Sequence, residues 1–250
     1  MAKNKLARFA EMDTLPNVFQ PKHAEIFRTD YKLKGMWNQE VFHNNNPIVL
    51  EIGCGKGEYT VELAKLYPEK NFIGIDIKGA RMWKGAKTAH EEKISNVAFI
   101  RMYAEMLESA FALGEVSEIW LTFPDPQMPK ARKRLSGSRF LSLYKKISSP
   151  NPTINLKTDS LFLYTYTTEL IKANQLTEFV NQNDLYGNGY EDKILEIKTF
   201  YEKQWLSRGK TIKYIRFSLD NTNPLQEPDV EIEKDDYYSQ ASFMVGDESN

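Results

Sequence analysis

The sequence predicts an α/β fold: a mostly parallel sheet with helices on both faces and an antiparallel edge. Three observations lead there. Short apolar runs alternate with amphipathic runs over residues 47–219. The first apolar run, 47–52, leads into glycines at 53, 55 and 57, and then into helically spaced Val61, Leu63, Ala64, Leu66 and Tyr67. The last strand candidates lie close together in the chain, which suits antiparallel pairing.

The totals set bounds. A chain of 250 residues can bury a sizeable core. It is 41% hydrophobic and 27% charged, which is ordinary for a globular protein. No apolar run is long enough to cross a membrane, and the first ten residues lack the apolar stretch of a signal peptide. One cysteine, Cys54, rules out a disulfide within the chain, and three scattered histidines give no metal spacing. These features together predict a cytoplasmic protein without a metal; its assembly, monomer or homodimer, is left open by the sequence. Net charge is −1, but it is unevenly spread. Residues 220–250 hold nine acids and one base, so about −8, which leaves about +7 on residues 1–219. A basic body suits a polyanionic substrate; an acidic tail that is simply solvated is the alternative for the last stretch.

Three regions follow: a basic and aromatic arm over 1–46, a main domain over 47–219, and an acidic extension over 220–250. Strands are expected at 47–52, 70–75, 97–101, 117–123, 152–157, 193–198 and 211–218. Helices are expected at 57–67, 79–93, 137–148, 159–172 and 199–207. Ligand-binding residues should gather at the C-terminal ends of the parallel strands.

The first strand ends in Glu51 and the G-x-G-x-G turn. A dinucleotide fingerprint, G-x-G-x-x-G, would need glycine at 58, where Glu58 stands. The tighter turn lets a ligand pass close to the backbone with no pyrophosphate to hold. The second strand ends in Asp76, an acid placed to meet ribose hydroxyls. Together these resemble the S-adenosylmethionine (SAM) site of Rossmann-like methyltransferases. After the third strand, Tyr103 and Ala104 fall where such a site holds adenine, and Tyr103 or Glu105 takes the place of the acid such sites often carry there; Tyr103 either stacks on a purine or fills the core edge.

The fourth strand runs straight into Phe123-Pro124-Asp125-Pro126. Proline fixes its own φ and extends the residue before it, so Asp125 is held stiffly at the mouth of the sheet. Lys130, Arg132, Lys133 and Arg134 follow, either as phosphate contacts or as a solvated charge run. The fifth strand ends in Lys157-Thr158-Asp159, where Asp159 is a candidate site residue or a helix N-cap. Thr199 and Glu202 have capping-box spacing at the start of the last helix.

These stretches, in this order, resemble the bacterial tRNA (guanine-N7-)-methyltransferases over about residues 49–217. The resemblance rests on Glu-Ile-Gly-Cys-Gly-Lys-Gly at 51–57, Gly-Ile-Asp at 74–76, Phe-Pro-Asp-Pro at 123–126, the basic run to Leu135, Lys-Thr-Asp at 157–159 and Thr-Phe-Tyr-Glu at 199–202. It implies SAM as donor and the variable-loop guanine of tRNA, position 46, as acceptor. It implies Glu51, Asp76, Tyr103 and Ala104 around SAM and Asp125 as the catalytic-site acid; the open backbone at Gly53, Gly55 and Gly57 is expected to admit the methionine portion, and Asp125 to border the cofactor as well. It implies Lys130, Asp159, Thr199 and Glu202 toward substrate, to which the basic run adds Arg132, Lys133 and Arg134 as expected phosphate contacts. The chain departs from the family pattern in Gln127-Met128-Pro129-Lys130 after the Asp-Pro turn, in Asp76 for the usual Glu, in Tyr103 for an acid, and in the acidic extension. Two rivals are a SAM enzyme for another RNA base or a small-molecule amine, and an idle RNA-binding relative. The intact glycine turn argues against the second.

Overall fold

The computed structural model of the chain describes residues 2–236, and the side chains of residues 6–236. In chain order its elements are α1 (Ala2–Met12), β1 (Val18–Phe19), α2 (His23–Ile26), β2 (Ile48–Ile52), α3 (Glu58–Leu66), β3 (Asn71–Asp76), α4 (Gly79–Glu91), β4 (Val97–Arg101), α5 (Leu107–Ala110), β5 (Val116–Thr122), α6 (Ser138–Ile147), β6 (Ser148–Thr158), α7 (Leu161–Ala173), β7 (Glu178–Gln182), α8 (Phe200–Ser207) and β8 (Lys213–Ser218). One eight-stranded sheet runs in the order β1-β4-β3-β2-β5-β6-β8-β7. The first six strands in that order are parallel, and β8 lies antiparallel between β6 and β7. This is the expected doubly wound sheet with an antiparallel edge. The crossing of the chain between β3 and β5, on either side of β2, puts the switch point at the C-terminal end of β2.

The central strands are continuous apolar runs because helices cover both of their faces. All five residues of β2 are buried. One core layer holds Leu50, Ile73, Ile119 and Leu163; the other holds Val49, Phe72, Phe99 and Trp120. Among the described residues, no helix is long and apolar enough to cross a membrane.

The stretch before β2 is built into this core. Trp37 is fully buried, stacks on Phe111 with ring centroids 5.5 Å apart, and donates its indole N–H to the Ala110 carbonyl at 2.9 Å. Helix α1 lies on α4, where Glu11 accepts from Trp83 Nε1 and Lys87 Nζ, each at 2.8 Å. Strand β1 pairs with β4.

One expected strand is wrong. Residues 193–198 begin with a short 3-10 turn, Lys193–Glu196, capped by Asp192. Ile194 and Ile197 are buried there, so apolar alternation arose from a turn seated on the core. The antiparallel edge strand is instead β7, whose residues are exposed or half-buried, and whose two adjacent apolar residues, Phe179 and Val180, make neither a run nor an alternation. The acidic segment is fastened as far as it is described. Glu227 accepts from the Ser138 amide and hydroxyl and from Tyr166, and Asp235 accepts from Ser160 Oγ and the Phe162 amide. Its residues 237–250 lie outside the described residues.

Candidate active site

The C-terminal ends of β2, β3, β4 and β5 surround a cavity of about 680 Å³. This is the range of small-molecule and cofactor sites. The glycine turn forms one wall. Its path is fixed by Gly53 and Cys54, whose amides donate to the Ile75 carbonyl at 2.8 and 3.0 Å. Gly53 has φ +80°, in the left-handed region open to glycine. Asp76 stands opposite, accepting from the Gly55 amide at 2.9 Å and the Lys78 amide at 2.7 Å.

Glu51 lies beneath. It is buried, and the hydroxyls of Thr60 and Thr122 both donate to its carboxylate. Burial raises its pKa to about 7, against the lowering effect of those two hydrogen bonds. Tyr103 and Ala104 line the cavity after β4, and Tyr103 is about half exposed with its ring edge-on to His23.

Asp125 lines the same cavity from the loop after β5. The loop is held in a tight shape: Phe123 and Gln127, on either side of Pro124-Asp125-Pro126, have φ of +50° and +48°. Side chains other than glycine enter that region only when their surroundings impose it. Here the Phe123 amide donates to the Lys157 carbonyl at 2.8 Å, and Asp125 accepts from the Gln127 amide at 2.9 Å. Thr199 closes the far side and caps α8, accepting from the Glu202 amide at 3.3 Å.

Residues 45–215 match a protein family described as "Putative methyltransferase". A tRNA (guanine-N(7)-)-methyltransferase of Bacteroides thetaiotaomicron is 54% identical over 240 residues, 96% of this chain and 95% of that protein. One of Porphyromonas gingivalis is 56% identical over 232 residues, 91% of this chain and 95% of that protein. The chain belongs to the tRNA (guanine-N(7)-)-methyltransferase family. Among solved structures, an antibiotic-related methyltransferase shares the fold with a TM-score of 0.54 at 17% identity, over 76% of this chain and 96% of that one. A 16S rRNA methyltransferase gives 0.53 at 13% identity, over 72% and 91%.

Against this family background, four residues expected at the site sit elsewhere. Gly57 does not line the cavity; a Cβ there would stand 2.6 Å from the Phe99 ring, so this glycine serves close packing under the turn. Arg134 is buried rather than facing substrate. Its Nε donates to the Pro126 carbonyl at 2.9 Å, its Nη2 to those of Gln127 and Met128, and its guanidinium lies 3.9 Å from the Tyr166 ring centre. It is the clasp of the Pro-Asp-Pro loop. Glu202 is fully buried and paired with Lys157 at 2.7 Å, while Tyr186 donates to it at 2.6 Å. Asp159 is half-buried outside the cavity lining, and Ser160, not Asp159, caps α7. Burial raises the Asp159 pKa to about 6, and its Oδ1 has no hydrogen-bond partner.

Lys130, Arg132 and Lys133 are exposed along the rim, and Lys133 reaches the cavity. Three further residues escaped the sequence reading. Lys56 lines the cavity with its ammonium 4.2 Å from the Phe200 ring centre and 4.9 Å from that of Tyr201. Glu58 accepts from the Phe200 amide at 3.0 Å. Lys157 lies fully buried behind the site. Each stood inside a motif already singled out, but only the fold shows its partner.

Proposed function

We propose that this protein transfers the methyl group of S-adenosylmethionine to N7 of a guanine in the variable loop of tRNA, at position 46. The observation that carries the reading is that the glycine turn, Asp76 and Asp125 line one cavity at the switch point of the sheet. The acceptor follows from what the close relatives are named for.

The donor set fits SAM. A cationic, ribose-bearing ligand suits a pocket with Glu51 and Asp76 in its walls and bare backbone at Gly53 and Gly55. In this reading Asp76 holds the ribose hydroxyls, Gly53 and Gly55 admit the methionine portion, and Tyr103 and Ala104 border adenine. When bound, SAM supplies an electrophilic methyl group. Guanine N7 carries an in-plane lone pair and no proton, so the protein needs no general base. Its task is alignment.

Asp125 takes the guanine edge and stabilises the positive charge that grows on the purine, a role that needs the fixed loop clasped by Arg134. Lys130, Arg132 and Lys133 contact phosphates on either side of the exposed base. Thr199 borders the acceptor.

The test is transfer of labelled methyl from SAM to unmodified tRNA, followed by nucleoside analysis. The expected product is 7-methylguanosine confined to the variable loop; another methylated nucleoside would overturn the acceptor. Asp125→Ala should abolish turnover with SAM affinity retained. Loss of SAM affinity in that variant would reassign the residue.

A further inference from the structure

The acidic segment after β8 is seated along α7. Gln226 exchanges two hydrogen bonds with Asn174 at the end of that helix, each at 2.8 Å, and Asp235 accepts from the Phe162 amide at its start at 3.0 Å. Leu225 and Ile232 pack against the core. These contacts place Glu227 at a junction. One of its carboxylate oxygens accepts from the Ser138 amide at 3.1 Å and from the Ser138 hydroxyl at 2.6 Å. The other accepts from the Tyr166 hydroxyl. Glu227 therefore joins the first residue of α6 to the middle of α7.

Both ends of that bridge bear on the Pro-Asp-Pro loop. Ser138 is where the segment that follows β5 ends and α6 begins. Tyr166 is the ring on which the Arg134 guanidinium lies, with the Phe162 ring centre 4.8 Å away on the same group. Arg134 donates to the carbonyls of Pro126, Gln127 and Met128, the three residues after Asp125. A hydrogen bond to an ionised carboxylate is stronger and more directional than one between neutral groups. A second tie between loop and helix, Ser136 Oγ to Thr167 Oγ1 at 2.8 Å, does not involve Glu227. Loss of Glu227 should therefore loosen the loop and leave the fold standing.

We propose that Glu227 is a positioning residue for methyl transfer. It holds Ser138 and Tyr166, Tyr166 seats Arg134, and Arg134 fixes the backbone that carries Asp125. The inference rests on the reading in which Asp125 meets the acceptor. Alignment is the task of this site, and a displacement of about 1 Å can cost about a hundredfold in rate. An acidic segment that is merely solvated, or that acts on RNA by its charge alone, would give Glu227 no special place among the acids around it.

The test uses the full-length protein. Glu227→Ala should lower the single-turnover rate of methyl transfer about tenfold at saturating SAM and tRNA, with SAM affinity unchanged. Glu227→Gln keeps the shape and one acceptor oxygen and should restore most of that rate. Tyr166→Phe keeps the ring beneath Arg134 but removes the hydroxyl, and should lose about threefold or more. The variant with both Glu227→Ala and Tyr166→Phe should be no slower than Glu227→Ala, because the two changes break one bond. Asp229→Ala removes a neighbouring exposed acid and should match wild type. Trypsin cleavage after Lys130, Arg132 and Lys133, read without tRNA, should quicken about threefold or more in Glu227→Ala. Tyr166→Phe gives an answer even if Glu227→Ala folds poorly. An unchanged rate in Glu227→Ala, full additivity with Tyr166→Phe, an equal loss in Asp229→Ala, or cleavage no faster than in wild type would overturn the inference. Methylation of another nucleoside by the wild type would instead overturn the acceptor, and the cleavage rate would still decide whether Glu227 holds the loop.

Discussion

Removing one member of the Lys157–Glu202 pair should cost far more than removing both. Both side chains are inaccessible to solvent, with Nζ and Oε1 2.7 Å apart. Lys157 also reaches the Ile197 carbonyl and the Tyr186 hydroxyl, each at 3.2 Å, and Tyr186 donates to Glu202 at 2.6 Å. Burial pushes the Lys157 ammonium below the usual lysine range while Glu202 pulls it back up, so the charged lysine depends on its partner. Lys157→Met leaves a carboxylate in the core without a cation, and should cost about 3–5 kcal/mol. Glu202→Leu strands the ammonium and should cost a similar amount near neutral pH. It should cost less at high pH, where the lysine can shed its proton. The double variant exchanges the pair for apolar volume and should recover at least about 2 kcal/mol of the summed loss. Urea denaturation of the four proteins gives the cycle. Methyl transfer measured in parallel should fall in both single variants, because α8 carries Thr199 and Tyr201 at the cavity. Single losses below about 1 kcal/mol that simply add would refute the argument that this pair holds the helix in place.

Glu51 makes stability pH-dependent in a predictable direction. Its pKa in the folded protein is raised from 4.5 to about 7, so the folded state holds the proton more tightly than the unfolded state. Its contribution is fully present below about pH 4.5 and is lost as pH rises through about 7, a swing of roughly 3 kcal/mol. Glu51→Gln should flatten that part of the stability profile measured in urea. Arg134→Ala should lower stability by about 2–4 kcal/mol through loss of three carbonyl contacts. Exposed Arg132→Ala should leave stability within about 0.5 kcal/mol and instead reduce the salt dependence of tRNA binding. Similar behaviour of the two variants would remove the distinction between clasp and phosphate contact. Gly57→Ala must put a methyl group 2.6 Å from the Phe99 ring at φ +69°, and should cost about 2–4 kcal/mol in the same denaturation assay.

The parallel sheet was legible because its central strands are buried on both faces and so read as plain apolar runs. That the glycine turn, Asp76 and Asp125 would meet at one cavity was legible because sheets of this kind open a crevice at their strand ends: the turn follows β2, Asp76 ends β3, and Asp125 stands three residues past the end of β5. The edge was not. Strand β7 shows no apolar pattern because it is exposed or half-buried, and the 193–198 run is apolar because its turn lies on the core. Patterning records burial, and at these two places burial and strand geometry part company. The basic run misled in a different way. Arg134 and Arg132 are alike in sequence, yet one donates inward to three carbonyls and the other is exposed. Nothing local distinguishes them, because the difference is made by Tyr166 on α7, across the fold.

The same reasoning explains why Thr199 to Glu202 sits where it does. Helix α8 has eight residues, and only Glu202 and Trp205 among them are buried. So little apolar area cannot fix the orientation of a short helix. Its first turn is instead held from two sides by charge. On the outer side Glu58 takes the Phe200 amide and Lys56 lies over the rings of Phe200 and Tyr201. On the inner side Glu202 is held by Lys157 from the end of β6. Lys56 and Glu58 belong to the glycine turn and its helix, and Lys157 precedes the residue pair Thr158-Asp159 at a strand end. The elements that border the cavity are therefore tied to one another directly, through ion pairs and backbone hydrogen bonds, and not only through the core they share. That is why motifs far apart in the chain keep one geometry at the cavity, and why the buried Glu202 can matter to the cavity without facing it.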